Sequence, residues 1–209
     1  KTILISIMHV NNEIGVIQDI ESIGKLAREN NILFHTDAVQ SAGKLELDVD
    51  KYNIDLLSLS GHKMYGPKGA LYIRSKPKKI RLTPQMHGGS QEKGIRSGTL
   101  ATHQIAGLGE ACKLARKNLN INFQKIKKFK DKIWSELSKL DGVYLNGDIE
   151  NRIYNNLNIS FDFVEGEALI ASLYDLALSS GSACNSSTQE ASYVLKAIGV
   201  NSNLAQSYP

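Results

Sequence analysis

The sequence predicts an α/β fold, with a large domain built on a mainly parallel sheet followed by a small α+β domain. Three observations predict it. Short, wholly apolar runs at Ile3-Leu4-Ile5, Ile32-Leu33-Phe34 and Leu56-Leu57 suit strands covered on both faces. Ile20, Ile23, Leu26 and Ala27 recur at helical spacing between the first two runs, as a crossover helix requires. Beyond residue 140 the segments become short and mixed. The 209 residues can bury a core of this size, and 42% hydrophobic with 22% charged residues excludes disorder, collagen and coiled coil.

Taken in order, the run from Thr2 to Met8 reads as a buried strand. It superficially resembles a signal peptide, but His9, Asn11, Asn12 and Glu13 follow with no small-residue cleavage site. Asp19 caps a helix that ends near Asn30-Asn31. Strands are expected at 32–34, ending in His35-Thr36-Asp37, at 55–60, ending in Gly61-His62-Lys63, and at 70–73. The glycine-rich polar stretch from Gln85 to Thr99 reads as a loop. Two helices follow, at 103–118 and 123–140, the second with a solvated face of lysines from Lys125 to Lys132. Strands at 143–145, 156–161 and 177–179 and helices at 165–174 and 191–198 complete the pattern. The domain boundary falls after residue 117, giving a large domain over 1–117 and a small one over 118–209.

A net charge of +4 is too small and dispersed to indicate nucleic acid or an anionic membrane. No run approaches the roughly 20 apolar residues of a membrane span. Cys112 and Cys184 form neither a disulfide framework nor a paired metal spacing, which suits a reducing, cytoplasmic compartment.

In parallel sheets, ligands sit beyond the carboxyl ends of the strands. That rim collects Asn11, Asn12, His35, Asp37, Gln40, His62 and Lys63. Lys63, directly after a glycine turn, is a candidate amine for imine formation with pyridoxal phosphate (PLP); the bland alternative is a surface lysine. Asp37 fits the carboxylate that keeps a pyridine nitrogen protonated, or simply caps a helix beginning at Ala38. Gln40 fits the ring hydroxyl, and Ser60 and His62 the phosphate. A metal site of His9, His35, Asp37 and His62 is the rival reading, disfavoured because the cationic Lys63 would oppose a divalent ion. Cys184 lies among small polar residues with no apolar period, so an exposed loop carrying a reactive thiol is expected. An incidental surface cysteine is the alternative. Cys112 lies on the Leu108, Cys112, Ala115 stripe and reads as a small core hydrophobe.

Six blocks carry a family resemblance: Met8 to Gly15, His35 to Gln40, Ser60 to Lys63, Gly66 to Gly69, Arg96 to Thr99 and Ser179 to Cys184. In this order they resemble the cysteine desulfurases of the IscS/NifS type. The resemblance implies the fold of PLP-dependent transferases like aspartate aminotransferase, and a homodimer that takes sulfur from L-cysteine. It leaves L-alanine and a persulfide on Cys184 for iron–sulfur scaffold and tRNA-thiolation proteins. By resemblance, Lys63 carries the cofactor, Asp37 and Gln40 hold its ring, and Ser60 and His62 hold its phosphate. Thr99 reaches the other subunit's phosphate, and Asn12 lies beside cofactor and substrate. No resident metal is implied, with Cys184 meeting a cluster only transiently on the scaffold, and a eukaryotic member would work in the mitochondrial matrix. Selenocysteine lyase and cysteine-sulfinate desulfinase are the rival activities, and a noncatalytic remnant or interaction module is the rival class. The family's upstream phosphate turn, stacking histidine and carboxylate-binding arginine have no counterpart here, and two residues are missing after Gly69. The chain is therefore expected to be a fragment, without desulfurase activity on its own.

Overall fold

A computed structural model describes residues 1–74, 80–179, 192–201 and 204–205, with the side chains of 72–74 left aside. Two compact units emerge, one from residues 1–9 and 19–119, the other from 10–18 and 120–209.

In the first unit, β1 (Leu4–Met8), β2 (Leu33–Asp37), β3 (Leu56–Ser60) and β4 (Ala70–Arg74) lie in that order in one sheet. The β1–β2 and β2–β3 pairs are parallel and β3–β4 is antiparallel. Helix α1 (Ile20–Glu29) makes the first crossover. Asp19 caps it by accepting the Ser22 backbone N–H at 3.0 Å. Strand β2 starts one residue later than expected and runs on through Asp37. Its start shifts because the Ile32 N–H closes the end of α1 on the Ala27 carbonyl. It continues because His35, Thr36 and Asp37 pair with Leu56, Leu57 and Ser58. Phe34, with no exposed surface, centres a core with Ile20, Ala27, Ile54, Leu57 and Met64. Cys112 is half-buried against this core, as its stripe predicted.

The two expected helices are one, α2 (Thr102–Leu137), 36 residues long. Leu119-Asn120-Ile121-Asn122 contains neither proline nor glycine, and the propensity cost of asparagine is only tenths of a kcal/mol, so nothing there stops the ladder. The helix also ends three residues before the expected Leu140, which turns back onto the Leu137 carbonyl.

In the second unit, β5 (Val143–Leu145) pairs antiparallel with β6 (Ile159–Phe161). Strand β6 is half its expected length. Asn156 and Asn158 instead turn their side-chain amides onto the Glu13 carbonyl, at 3.0 and 3.2 Å. The strand expected at 177–179 is absent; there the Leu178 N–H folds back on the Leu176 carbonyl. Helix α3 (Gly166–Ser172) is shorter than expected, Glu165 serving as its cap through the Ala168 N–H. Helix α4 (Tyr193–Ala197) starts after Ser192, whose Oγ accepts the N–H groups of Val194 and Leu195.

Two stability measurements test these assignments. Gly24 lies in α1 where a Cβ would run into the Tyr52 carbonyl oxygen. Gly24→Ala gains about 1 kcal/mol of helix propensity against roughly 1–3 kcal/mol of overpacking. Urea unfolding should show a net loss, and a stabilised variant would show that the backbone at Tyr52 yields freely. His9 is 5% exposed, its Nδ1 has no partner among the described residues, and burial pushes its pKa below the ordinary 6.5. The unfolded chain therefore takes up a proton below that value before the folded one does. Stability is full above about pH 6.5 and declines as pH falls toward the folded pKa. His9→Gln should flatten the decline between pH 7 and 5; equal slopes would rule His9 out as its source.

Candidate active site

Strand register creates the rim. Asp37, the last residue of β2, pairs with Met8 on one side and Ser58 on the other. Two residues past Ser58, β3 ends at Ser60 and the chain enters a single 3-10 turn, Gly61–Met64. Asp37 and the Ser60-Gly61-His62-Lys63 segment therefore leave neighbouring parallel strands at the same edge. Gly61 is required at this point. It is buried, and a Cβ there would crowd the Pro67 carbonyl at 2.9 Å and Leu108 at 3.0 Å.

The Asp37 carboxylate is exposed and oriented. Its Oδ1 accepts the Val39 backbone N–H at 2.9 Å, which leaves Oδ2 for a second donor. Gln40 is half-buried on the turn that follows. Lys63 and His62 are exposed, and the Lys63 amine has no hydrogen bond or ion pair among the described residues. Ser60 Oγ donates to the Gly69 carbonyl at 3.3 Å. Its lone pairs stay free, but its proton must leave that carbonyl before it can serve a phosphate. Exposed Thr99 lines a cavity of about 690 Å³ with Gly69, Leu71, Arg96, Leu100 and Leu108.

His35, expected on the rim, bridges the sheet instead. Its Nδ1 meets Ser6 Oγ at 2.7 Å and its Nε2 meets Ser58 Oγ at 2.9 Å, so both ring nitrogens are engaged across three strands.

Asn12 belongs to the second unit, exposed on a turn built by its neighbour. Asn11 Oδ1 accepts the N–H groups of Glu13 and Ile14, both at 2.9 Å. Under the turn lies a buried polar network. The 5% exposed Arg152 donates to the Asn146 and Asp148 carbonyls and to Asn156 Oδ1. Burial pushes its pKa down to about 10 against the opposing pull of Asp148. Cys184 lies outside the described residues.

Sequence reasoning passed over three supporting groups. Asp55, 4% exposed, accepts the Phe34 N–H at 2.9 Å; its signal was a carboxylate leading an apolar strand. Lys44 donates to two carbonyls of the rim turns, and its one signal was its spacing, four residues past Gln40. Arg152 gave none, because an arginine in an asparagine-rich loop reads as solvated.

The donor set fits PLP: an unpaired amine for the aldehyde, a carboxylate with one free oxygen for the ring nitrogen, and an amide beside it for the ring hydroxyl. Hydroxyl and imidazole groups at the β3 end suit the phosphate.

The chain is 57% identical over 208 residues to "Cysteine desulfurase IscS" of Shewanella denitrificans, covering 99% of this chain and 51% of that protein. The protein of the same name from Pectobacterium carotovorum is 56% identical with the same coverage. Among solved structures, a NifS-like protein from Rickettsia africae superposes with a TM-score of 0.88 at 33% identity, over 99% of this chain and 55% of that one. SspA, solved in complex with cysteine, gives 0.80 at 39% identity, over 99% and 57%. The chain thus spans about half the length of the relatives it matches. The family described as Aminotransferase class-V matches residues 1–202, and the chain belongs to that family.

Proposed function

We propose that the protein containing this chain is a PLP-dependent cysteine desulfurase, yielding L-alanine from L-cysteine and passing the sulfur to acceptor proteins. The observation that carries this reading is the shared edge of β2 and β3, with the Asp37 carboxylate on one strand end and, past the other, a Lys63 amine unpaired among the described residues. The relatives named cysteine desulfurase support it.

PLP, when bound, supplies an electron sink for the pair left when the substrate α-proton is removed. The chain's own residues do the rest. Asp37 would hold the ring nitrogen, its carboxylate kept from rotating away by the Val39 N–H on Oδ1. Gln40 donates to the ring oxygen. Ser60 and His62 hold the phosphate, joined by Thr99 from the other subunit of a homodimer. Asn12 lies beside cofactor and substrate. Lys63 would hold the cofactor through its amine and would take the proton from the substrate α-carbon. Cys184 thiolate then attacks the substrate sulfur; the carbon–sulfur bond breaks, a sulfur–sulfur bond forms on Cys184, and the substrate carbon is protonated toward alanine. This chemistry needs a reduced thiol, hence a cytoplasmic protein, or a matrix one in a eukaryote. No helix among the described residues is long and apolar enough to cross a membrane.

Two experiments on the complete protein test the reading. With PLP it should show a visible absorption band that borohydride fixes to Lys63 and that Lys63→Ala removes; an adduct on Lys68 would overturn the assignment. Cys184→Ser should bind PLP and cysteine yet produce neither persulfide nor sulfide. Cys112→Ala should keep activity and lose about 1 kcal/mol of stability. Normal sulfide production by Cys184→Ser would remove the relay role.

A further inference from the structure

We propose that Lys44 is a positioning residue that clamps the turn carrying Asp37 and Gln40 to the turn carrying Lys63, by donating from one ammonium to a backbone carbonyl of each. Its Nζ lies 2.9 Å from the Gln40 carbonyl oxygen and 3.3 Å from that of Lys63. The two acceptors are residues to which the desulfurase reading gives cofactor contacts, and the functional half of this inference rests on that reading.

Three observations carry it. The first is burial. Lys44 is only partly exposed, and burial, followed by the repulsion of Lys63, pushes its pKa below the ordinary 10.5. An ammonium held in so unfavourable a place needs its protons satisfied, and the two carbonyls do this. The second is strain. Tyr65, directly after the 3-10 turn, sits in the left-handed region at φ 62° with its side chain 99% exposed. No packing of its ring explains that conformation, so the backbone around it must be held by other bonds. The Tyr65 and Gly66 N–H groups, both on the Gly61 carbonyl, are two such bonds, and the Lys44 contact to the Lys63 carbonyl is a side-chain bond that reaches this turn from outside it. The third is connectivity. Main-chain pairing between β2 and β3 stops at Asp37 and Ser58, save for the Ala38 N–H on the Ser58 carbonyl. Beyond that point Lys44 ties the two turns to each other.

A lysine that merely filled space would support the fold everywhere alike. A clamp instead sets the separation of the Lys63 backbone from the Asp37–Gln40 turn. That separation governs whether one ligand can be held by Lys63 and Asp37 together.

The test uses the complete protein and the variants Lys44→Met, Lys44→Gln and Lys44→Arg. Amide exchange without PLP reads the clamp itself. Lys44→Met should speed exchange over residues 61–66 while leaving α1 and β1 at the wild-type rate. PLP titration and borohydride trapping read the consequence. Lys44→Met should weaken PLP about tenfold, the equivalent of one lost charged hydrogen bond, and lower the fraction trapped on Lys63. Lys44→Arg, which keeps a charged donor, should recover most of both. If Lys44→Met fails to fold, Lys44→Gln replaces it, its shorter neutral amide reaching one carbonyl at most, with the same loosening expected over 61–66. Wild-type exchange at 61–66 together with wild-type PLP affinity in the Met or Gln variant would overturn the proposal. So would uniformly faster exchange throughout the first unit. Should the wild-type protein itself trap no PLP, the desulfurase reading fails, and the exchange data still decide the clamp.

Discussion

The reciprocal pairing of Asp55 with Phe34 is the constraint on which the site depends. The Asp55 N–H donates to the Phe34 carbonyl, and its carboxylate accepts the Phe34 N–H, both at 2.9 Å. Asp55 is 4% exposed and Phe34 fully buried, so this ionisable group is tied down where water cannot compete. The pair sets the register at the start of the β2–β3 ladder. A slip of one residue would send Phe34 and Thr36 out of the core and turn every later side chain to the opposite face. Because the register holds, Asp37 stands beside Ser58, and the strand ends beyond them open on the same edge.

Side-chain hydrogen bonding reinforces that alignment. The Ser6–His35–Ser58 relay joins β1, β2 and β3, with the imidazole using both nitrogens as a fixed spacer. This explains how a histidine can stand two residues before the rim carboxylate of its own strand and still take no part in the rim. Asp37, His62 and Lys63 on the rim are exposed and sparsely bonded, whereas Ser6, His35 and Ser58 beneath them are joined side chain to side chain. Preorganisation of the site therefore resides in the strands and turns more than in contacts among the rim side chains.

Much of this was legible in the sequence, for identifiable reasons. The apolar runs ending in His35-Thr36-Asp37 and Gly61-His62-Lys63 announce buried parallel strands with polar ends, and both strands bring those ends to the sheet edge. Val143–Leu145 was read to the residue. The departures have different physical causes. Asn156 and Asn158 look like strand residues until Glu13, more than 140 positions earlier, offers a carbonyl. The 119–122 segment reads as a break because it interrupts the apolar stripe, yet it contains nothing that breaks a backbone ladder. Lys44 and Arg152 read as solvated because charge alone says nothing of the carbonyls a fold will later present.

The attachment of residues 10–18 to the second unit has a consequence in time. On a ribosome the chain emerges from its amino end at roughly 5–20 residues per second. The Asn11–Ile14 turn is therefore complete long before Arg152, Asn156 and Asn158 exist. At that pace it waits on the order of ten seconds for the partners that will hold it. Strand β1, immediately before it, can pair with β2 far sooner. Two neighbouring stretches thus fold on different schedules, and the turn bearing Asn12 is secured only after Asn156 and Asn158 have been made.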